Sequence, residues 1–132
     1  MNREIEFRGK RLDNDEWMYG DLIHDNQGGC YVYPLDNLGL FVENKVDDNT
    51  VGQFTGMIDK NGIKIFEGDI VRWDKDQKLY VVVFRNGMFY ASVEECNPHI
   101  YGGFPLWCLC EEEQHCTIVG NIYDNPELLS IK

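Results

Sequence analysis

Residues 79–93 read LYVVVFRNGMFYASV, and this stretch decides the fold class. The run 79–84 is apolar and rich in valine, a composition that favours a buried strand. The dipeptide Asn86-Gly87 tolerates positive φ at both positions, so it suits the two-residue turn of a β-hairpin. Residues 88–93 then return as a second strand. The stretch therefore predicts two antiparallel strands joined by a tight turn.

The rest of the chain repeats this alternation of short strands and turns. Alanine, the best helix former, occurs once, at Ala91, whereas valine and isoleucine occur ten times each and glycine 13 times. Such a composition favours strands and turns over long helices. Further candidate strands are 4–8, 16–23, 30–34, 38–42, 50–56, 63–66, 70–73, 106–110 and 117–123. Because no crossover helix is available for a parallel α/β fold, the sequence predicts an all-β protein with very little helix.

The polar, acidic stretch 43–49 is the best candidate for a domain boundary. It divides the chain into an N-terminal β-meander region, 1–49, and a C-terminal part, 50–132. The C-terminal part suits a small SH3-like barrel, in which glycines lie at the corners where strands bend. The alternative is a single compact unit. Near the C-terminus, Asn125 and Pro126 predict the N-cap and first position of a single helical turn.

The charge is strongly acidic, with 12 Lys and Arg against 23 Asp and Glu, a net charge of −11. Such a protein repels nucleic-acid backbones and anionic membranes, so we expect no direct binding to either. No apolar run reaches the roughly 18 residues of a membrane span, and the N-terminus lacks the apolar segment of a signal peptide. We therefore expect a cytoplasmic location. The basic residues cluster in 3–11, whereas 86–131 contains acids only, which suggests that the two regions meet within or between subunits.

Three segments carry a resemblance to a known family: 50–56, 59–62 and 65–71. They look like the signature of the YopX family, small proteins of phage and prophage genomes, and the ends of the chain (3–11, 17–22 and 118–129) match as well. The resemblance implies a β-rich protein with a C-terminal barrel that forms homo-oligomers in a bacterial host cell. It implies no catalytic residue. The motif positions, to which we assign structural roles, are Thr55, Gly56, Asp59, Asn61, Gly62, Glu67, Gly68, Asp69, Gly120, Asn121, Asn125 and Pro126.

Two of these motifs also invite a cation-binding interpretation. Glu67 and Asp69 are carboxylates one residue apart, and Asp59 could join them. The stronger interpretation is turn chemistry, because Gly68 permits a reversal of the backbone and Asp69 can accept hydrogen bonds from turn amides. The segment 59–62 lacks the further ligands of an EF-hand-like loop. The sequence therefore predicts structural turns here.

The last third of the chain contains a cluster of cysteine and histidine residues. Its members are Cys96, His99, Cys108, Cys110, His115 and Cys116. Zinc needs four such ligands, and Cys96-x-x-His99 has a suitable spacing, but Cys108-x-Cys110 is tighter than a common zinc knuckle. The total of five cysteines is odd, which makes a disulfide framework unfavourable. We interpret the cluster as reduced cysteines without metal or other cofactor.

Catalysis by a Cys–His pair would need an activated thiolate, a base within hydrogen-bond reach and an oxyanion site. The pattern predicts none of these, so we expect no enzyme. The leading hypothesis is a phage or prophage protein that self-associates and binds a host or phage protein, because its aromatic content of 13% suits subunit contacts. One alternative is an acidic DNA mimic that inhibits a host nucleic-acid enzyme. The other is a zinc-stabilised protein centred on 96–116.

Overall fold

The computed structural model describes residues 2–34, 44–93, 102–111 and 115–129. Within these ranges the chain forms eleven β-strands and three short 3₁₀ helices, and it contains no α-helix. All strand pairs are antiparallel. The predicted all-β fold class is confirmed. The predicted strand 38–42 lies outside the described residues.

The strands, in chain order, are β1 (Phe7–Lys10), β2 (Trp17–His24), β3 (Cys30–Tyr33), β4 (Lys45–Val46), β5 (Gly52–Ile58), β6 (Lys64–Phe66), β7 (Asp69–Trp73), β8 (Leu79–Arg85), β9 (Met88–Ser92), β10 (Gly103–Pro105) and β11 (Cys116–Asn121). The three 3₁₀ helices span Asp48–Thr50, Leu106–Leu109 and Pro126–Leu128. The chain divides into two compact units, Met1–Phe54 (unit 1) and Thr55–Lys132 (unit 2), and the division falls inside β5.

Unit 1 is a meander whose strands lie in the order β4-β3-β2-β1, with the first residues of β5 paired to β1. Strand side chains alternate between the two faces of a sheet, and here one face forms the core. The core consists of Cys30, Val32 and Val46, with Met18, Leu22 and Val51 packed against them. The alternation along β2 therefore places 18, 20 and 22 on the core face and leaves 17, 19, 21 and 23 on the other.

Unit 2 contains a five-stranded sheet in the order β10-β9-β8-β7-β11. Its central hairpin is the predicted one: Val82 pairs with Ala91 and Phe84 with Phe89. Asn86 and Gly87 have φ values of 55° and 80°, which give the turn the twist that two strands of a hairpin require. The hairpin prediction is confirmed.

The core of unit 2 lies on one face of this sheet. It comprises Ile65, Val71, Trp73, Tyr80, Val82, Ala91, Val93, Leu106, Leu109 and Cys116. Phe104 closes one side of it, with its ring 5.1 Å from that of Trp73 in an edge-to-face contact. Closure of the strands into an SH3-like barrel stays a prediction.

The strand predicted at 106–110 is wrong. Residues Leu106–Leu109 form a 3₁₀ helix directly after Pro105, and the Cys110 amide donates to the Trp107 carbonyl at 3.1 Å. A short apolar run has no periodicity that separates a buried strand from a buried helical turn. Leu106 and Leu109, three residues apart, both reach the core, which is the spacing of a 3₁₀ turn.

Candidate functional site

The Asp59 carboxylate is the centre of the turn that joins β5 to β6. It is 5% exposed. Its Oδ1 accepts hydrogen bonds from the amides of Asn61 (2.8 Å) and Ile63 (2.9 Å). Its Oδ2 accepts from the amide of Ile118 in β11 at 3.1 Å. Backbone donors thus engage both oxygens, and the side chain ties this turn to β11.

In the turn at 67–69, a buried aspartate likewise accepts a hydrogen bond from a backbone amide. Asp69 is 2% exposed, and its Oδ2 accepts from the Phe66 amide at 2.7 Å. The Gly68 amide donates to the Val82 carbonyl at 2.8 Å, and the Gly68 carbonyl accepts from the Ile122 amide at 3.0 Å. At the start of this region the Thr55 hydroxyl donates to the Ile65 carbonyl at 2.8 Å. These motif residues connect neighbouring segments of unit 2.

The C-terminal motif is a further turn. The Asn121 side-chain oxygen accepts from the amides of Tyr123 (3.0 Å) and Asp124 (2.8 Å). The predicted helical turn is present as the 3₁₀ helix Pro126–Leu128, with Pro126 in its first turn. Asn125, however, makes no side-chain cap to that helix. Its Oδ1 accepts instead from the Asn121 amide at 3.1 Å, because the side chain turns back toward β11.

The cysteine and histidine cluster is only partly within the described residues. Cys96 and His99 lie outside them. Of the others, Cys116 is buried, Cys108 and Cys110 are half-buried, and His115 is exposed. In the described ranges, no group of three or more His, Cys, Asp or Glu side chains is arranged to hold a metal ion. The interpretation without metal therefore stays a prediction, and a zinc site that includes Cys96 and His99 stays its alternative.

Cys110 and Cys116 both pack into or against the core cluster of unit 2. Interaction with Cys110, together with burial, raises the pKa of Cys116 far above its usual range. Interaction with the Cys116 thiol lowers the pKa of Cys110. Burial raises the pKa of Cys108.

The second candidate site is the sheet face of unit 1 that lies opposite the core, which we call the outer face. On β2 it carries Trp17, Tyr19, Asp21 and Ile23. Cross-strand neighbours on β3 are Tyr31, opposite Ile23, and Tyr33, opposite Asp21. The neighbours on β1 are Arg8, opposite Tyr19, and Lys10, opposite Trp17.

Large apolar and aromatic side chains of the outer face are exposed. Ile23 is 49% exposed, Tyr19 42% and Tyr33 37%. Isolated apolar side chains on a surface are common, but a row on one sheet face indicates a surface that binds something. The sequence carried the signal for this face, since its aromatic residues alternate with core residues along β2 and β3.

The two ends of the outer face differ in charge. At one end the Arg8 guanidinium lies 4.6 Å from the centre of the Trp17 ring, and the Lys10 ammonium lies 5.6 Å from it. These distances allow cation–π attraction, which holds both cations against the indole. At the other end, Tyr31 lies opposite Ile23, which is two residues beyond Asp21 along β2. The Tyr31 hydroxyl donates a hydrogen bond to Asp25 at 3.2 Å. The face therefore runs from an end with Lys10 and the buried Arg8 to an end where Asp21 and Asp25 outnumber Lys45, which lies opposite Tyr31.

Other exposed apolar side chains are more dispersed. In unit 2, Phe84 at the tip of the β8–β9 hairpin is 56% exposed and packs edge-to-face on Phe89, while Trp107 on the 3₁₀ helix is 53% exposed. Unit 1 also has a shallow cleft of about 230 Å³ between residues 27–30 and 45–48. Lys45, Asp47 and Asp48 give this cleft a mixed-charge lining. It contains no set of side chains that converges on one point.

Comparison with known proteins supports the family resemblance. A family model described as YopX protein matches residues 6–130. The chain belongs to the YopX family. The match spans all twelve motif positions of this YopX-family chain, and the hydrogen bonds described above give most of them structural roles in unit 2.

The fold also resembles a solved structure, the crystal structure of protein EF1440 from Enterococcus faecalis. The two chains superpose with a TM-score of 0.62 at 20% sequence identity, over 98% of this chain and 100% of the other. At this identity the likeness concerns the fold alone. No curated protein is significantly similar to the chain. Among the described residues, no helix has the length and apolar character needed to cross a membrane.

Proposed function

We propose that this YopX-family protein is a non-enzymatic protein-interaction module that self-associates through the outer face of unit 1. The observation that carries the proposal is the exposed row Tyr19, Ile23 and Tyr33 on one face of a sheet whose other face is a packed core. Tyrosine and tryptophan are enriched in protein interfaces, where they bury a large area at a small cost in conformational entropy.

The charge of the outer face favours a second copy as the occupant. Lys10 and the buried Arg8 lie at one end, whereas Asp21 and Asp25 lie at or beside the other and outnumber the single cation there, Lys45. In a two-fold symmetric contact the same surface of both subunits meets. If the axis is perpendicular to β2, the basic end of one subunit faces the acidic end of its partner. Opposite charges then meet around a central row of aromatic and aliphatic side chains.

We further infer an origin in a phage or prophage genome and a location in the cytoplasm of the bacterial host. The support for both is the occurrence of the YopX family in such genomes. In that setting a host or phage protein is the expected second partner. Affinity capture from lysogenic cells, with the wild type and the Ile23→Asp variant as parallel baits, tests whether that partner also needs the outer face.

Sedimentation velocity over a range of protein concentrations tests self-association. The variant Ile23→Asp replaces the most exposed aliphatic side chain of the outer face by a carboxylate, so we expect its dissociation constant to rise by about tenfold or more. The matched control is Ile63→Asp in unit 2, because Ile63 is 56% exposed and Ile23 is 49% exposed. The control should associate like the wild type, and circular dichroism should show that both variants are folded.

Two results would contradict the proposal. A wild-type protein that stays monomeric at high micromolar concentration would exclude self-association. Equal weakening by Ile23→Asp and Ile63→Asp would show that the added charge, rather than the outer face, controls association.

A further inference from the structure

Asparagine is followed directly by glycine at two places in the chain, and both lie in turns of unit 2, away from the outer face. The pairs are Asn61-Gly62, between β5 and β6, and Asn86-Gly87, between β8 and β9. A basic residue precedes each pair, Lys60 in one case and Arg85 in the other. All four residues of the two pairs are exposed, and both glycines have a φ of 80°. The two sites are therefore matched in local sequence and in exposure.

The two pairs differ in the hydrogen bonds of their backbone amides. The Asn61 amide donates to the Asp59 carboxylate at 2.8 Å, and the Gly62 amide donates to the Asp59 carbonyl at 3.0 Å. The other turn closes through the pairing of Arg85 with Met88, and such a two-residue turn leaves the amide of its second residue outside the strand ladder. Within the part of the chain that the structure describes, the Gly87 amide therefore donates no hydrogen bond.

We propose that Asn86 is a modification site at which the chain itself converts asparagine into aspartate and isoaspartate. The nucleophile is the backbone nitrogen of Gly87, and the second reactant is water. The Gly87 nitrogen attacks the side-chain carbonyl carbon of Asn86 and closes a five-membered succinimide ring. The side-chain nitrogen leaves as ammonia, which takes up the proton that the Gly87 nitrogen loses.

Water then opens the succinimide ring at one of its two C–N bonds. Cleavage at the side-chain carbonyl gives aspartate, and cleavage at the main-chain carbonyl gives isoaspartate, in which the main chain runs through the former side-chain carbon. Overall, one amide and one water molecule give one carboxylic acid and one ammonia molecule. No electrons are transferred, so the reaction needs no oxidant or reductant.

The hydrogen bonds decide which of the two asparagines reacts, because the glycine nitrogen must rotate toward the asparagine side chain. Glycine has no side chain to obstruct this approach, and a Cβ atom at Gly62 or Gly87 would have no neighbour within 4 Å. Rotation at Asn61 must first break the two amide hydrogen bonds to the buried Asp59. At Asn86 the rotation is confined to the tip of a hairpin, where local opening requires little free energy.

The reaction would change both the charge and the shape of the hairpin tip. Aspartate adds a negative charge, and isoaspartate also adds one carbon atom to the main chain of the turn. A two-residue turn joins its strands only with a particular backbone twist, so the additional atom disturbs the pairing nearest the turn. That pairing includes Phe84 and Phe89, whose rings are in edge-to-face contact at 5.1 Å. The product would therefore present a different surface at this exposed tip.

The test incubates the full-length protein at mildly alkaline pH, once folded in buffer and once unfolded in urea, and follows both asparagines by peptide mapping with mass spectrometry. In the folded protein, Asn86 should convert about tenfold or more faster than Asn61, because two hydrogen bonds must open at Asn61. In urea the two rates should become similar, since the flanking residues are alike. The variant Asn86→Gln is the control for the intact protein. In isoelectric focusing it should acquire negative charge more slowly than the wild type.

Three results would overturn the proposal. The first is a folded protein in which Asn86 converts no faster than Asn61. The second is an equally large rate difference in urea, which would show that the flanking residues rather than the hydrogen bonds select the site. The third is an Asn86→Gln variant that acquires negative charge as fast as the wild type.

Discussion

The same turn occurs once in each unit, and the two copies differ in what surrounds them. In unit 1, Asp25 Oδ1 accepts from the amides of Gln27 (2.9 Å) and Gly29 (2.7 Å) between β2 and β3. In unit 2, Asp59 Oδ1 accepts from the amides two and four positions later, between β5 and β6. Glycine with positive φ stands three positions after each aspartate. The same local pattern, an aspartate followed three positions later by a glycine, thus forms the same turn in both units.

The surroundings give the two turns different roles. Asp59 is buried, and its second oxygen reaches β11 across 59 positions of sequence. The second oxygen of Asp25 accepts from the Tyr31 hydroxyl on the neighbouring strand, at the edge of the outer face. Asp59 therefore joins distant parts of unit 2, whereas the described hydrogen bonds of the Asp25 side chain stay within its own hairpin. Loss of the Asp59 carboxylate should consequently affect the fold far more than loss of the Asp25 carboxylate.

The variant Asp59→Ala has the largest expected effect. It removes the acceptor of three backbone donors, of which the Ile118 amide is in β11. Hydrogen bonds to charged groups contribute more than neutral ones, and amides left unsatisfied in a buried site add a penalty. We expect a loss of about 4 kcal/mol in the free energy of unfolding, measured by urea titration.

The matched control for this variant is Asp74→Ala. Asp74 pairs with the Lys60 ammonium at 3.2 Å, and both side chains are more than a third exposed, so its loss should cost less than about 1 kcal/mol. Equal losses for the two variants would mean that Asp59 does not join its turn to β11.

The variant Gly120→Ala tests β11, the strand that the Asp59 carboxylate reaches through the Ile118 amide. Gly120 follows a register shift in β11, and a Cβ atom there would lie 2.5 Å from the Asn125 side-chain oxygen. Because that oxygen holds the Asn121 amide, the conflict should displace the end of β11 and cost about 2 kcal/mol in the free energy of unfolding.

A double-mutant cycle with Asn125→Ala separates this contact from a general intolerance of side chains at position 120. In the Asn125→Ala background, the oxygen is gone and Gly120→Ala should cost less than half as much. The same cost in both backgrounds would show that the conflict involves the backbone and not Asn125.

Local signals in the sequence predicted much of the fold. The β8–β9 hairpin follows from an apolar run and Asn86-Gly87, and the turns at 59–62 and 67–69 follow from short-range hydrogen bonding by aspartate beside glycine. The 3₁₀ helix Leu106–Leu109 was missed because its four residues carry no decisive periodicity. Local signals fail where the outcome depends on which surface the segment packs against.

The candidate sites were harder to predict than the fold. Alternation along β2 and β3 assigns side chains to two faces, but only the packed core shows which face remains exposed. The positions of Cys110 and Cys116 against one core depend on how a 3₁₀ helix and β11 pack, a relation between separate elements. The sequence singled out both cysteines as possible metal ligands, and the structure packs both into or against the core of unit 2.

The smallest expected effect is that of Asp25→Asn, and it should depend on pH. Hydrogen bonds from the amides of Gln27 and Gly29 lower the pKa of Asp25 in the folded protein. A folded pKa below the unfolded value of about 4 means that the ionised carboxylate stabilises the fold at neutral pH. This contribution is lost as the pH falls through the lowered pKa, because the folded state must then take up a proton. The asparagine side chain does not titrate.

Thermal melting of the wild type and Asp25→Asn, compared at neutral pH and at about pH 3, measures this contribution directly. Other carboxylates titrate in both proteins, so the informative quantity is the difference between the two melting temperatures. We expect the wild type to melt slightly higher at neutral pH and the difference to shrink in acid. A difference that stays constant with pH would mean that the Asp25 charge plays no part. The turn of unit 1 would then depend on hydrogen-bond geometry alone. Asp25 and the buried Asp59 would then differ only in which segments their hydrogen bonds connect, and the charge of Asp25 would add nothing to that difference.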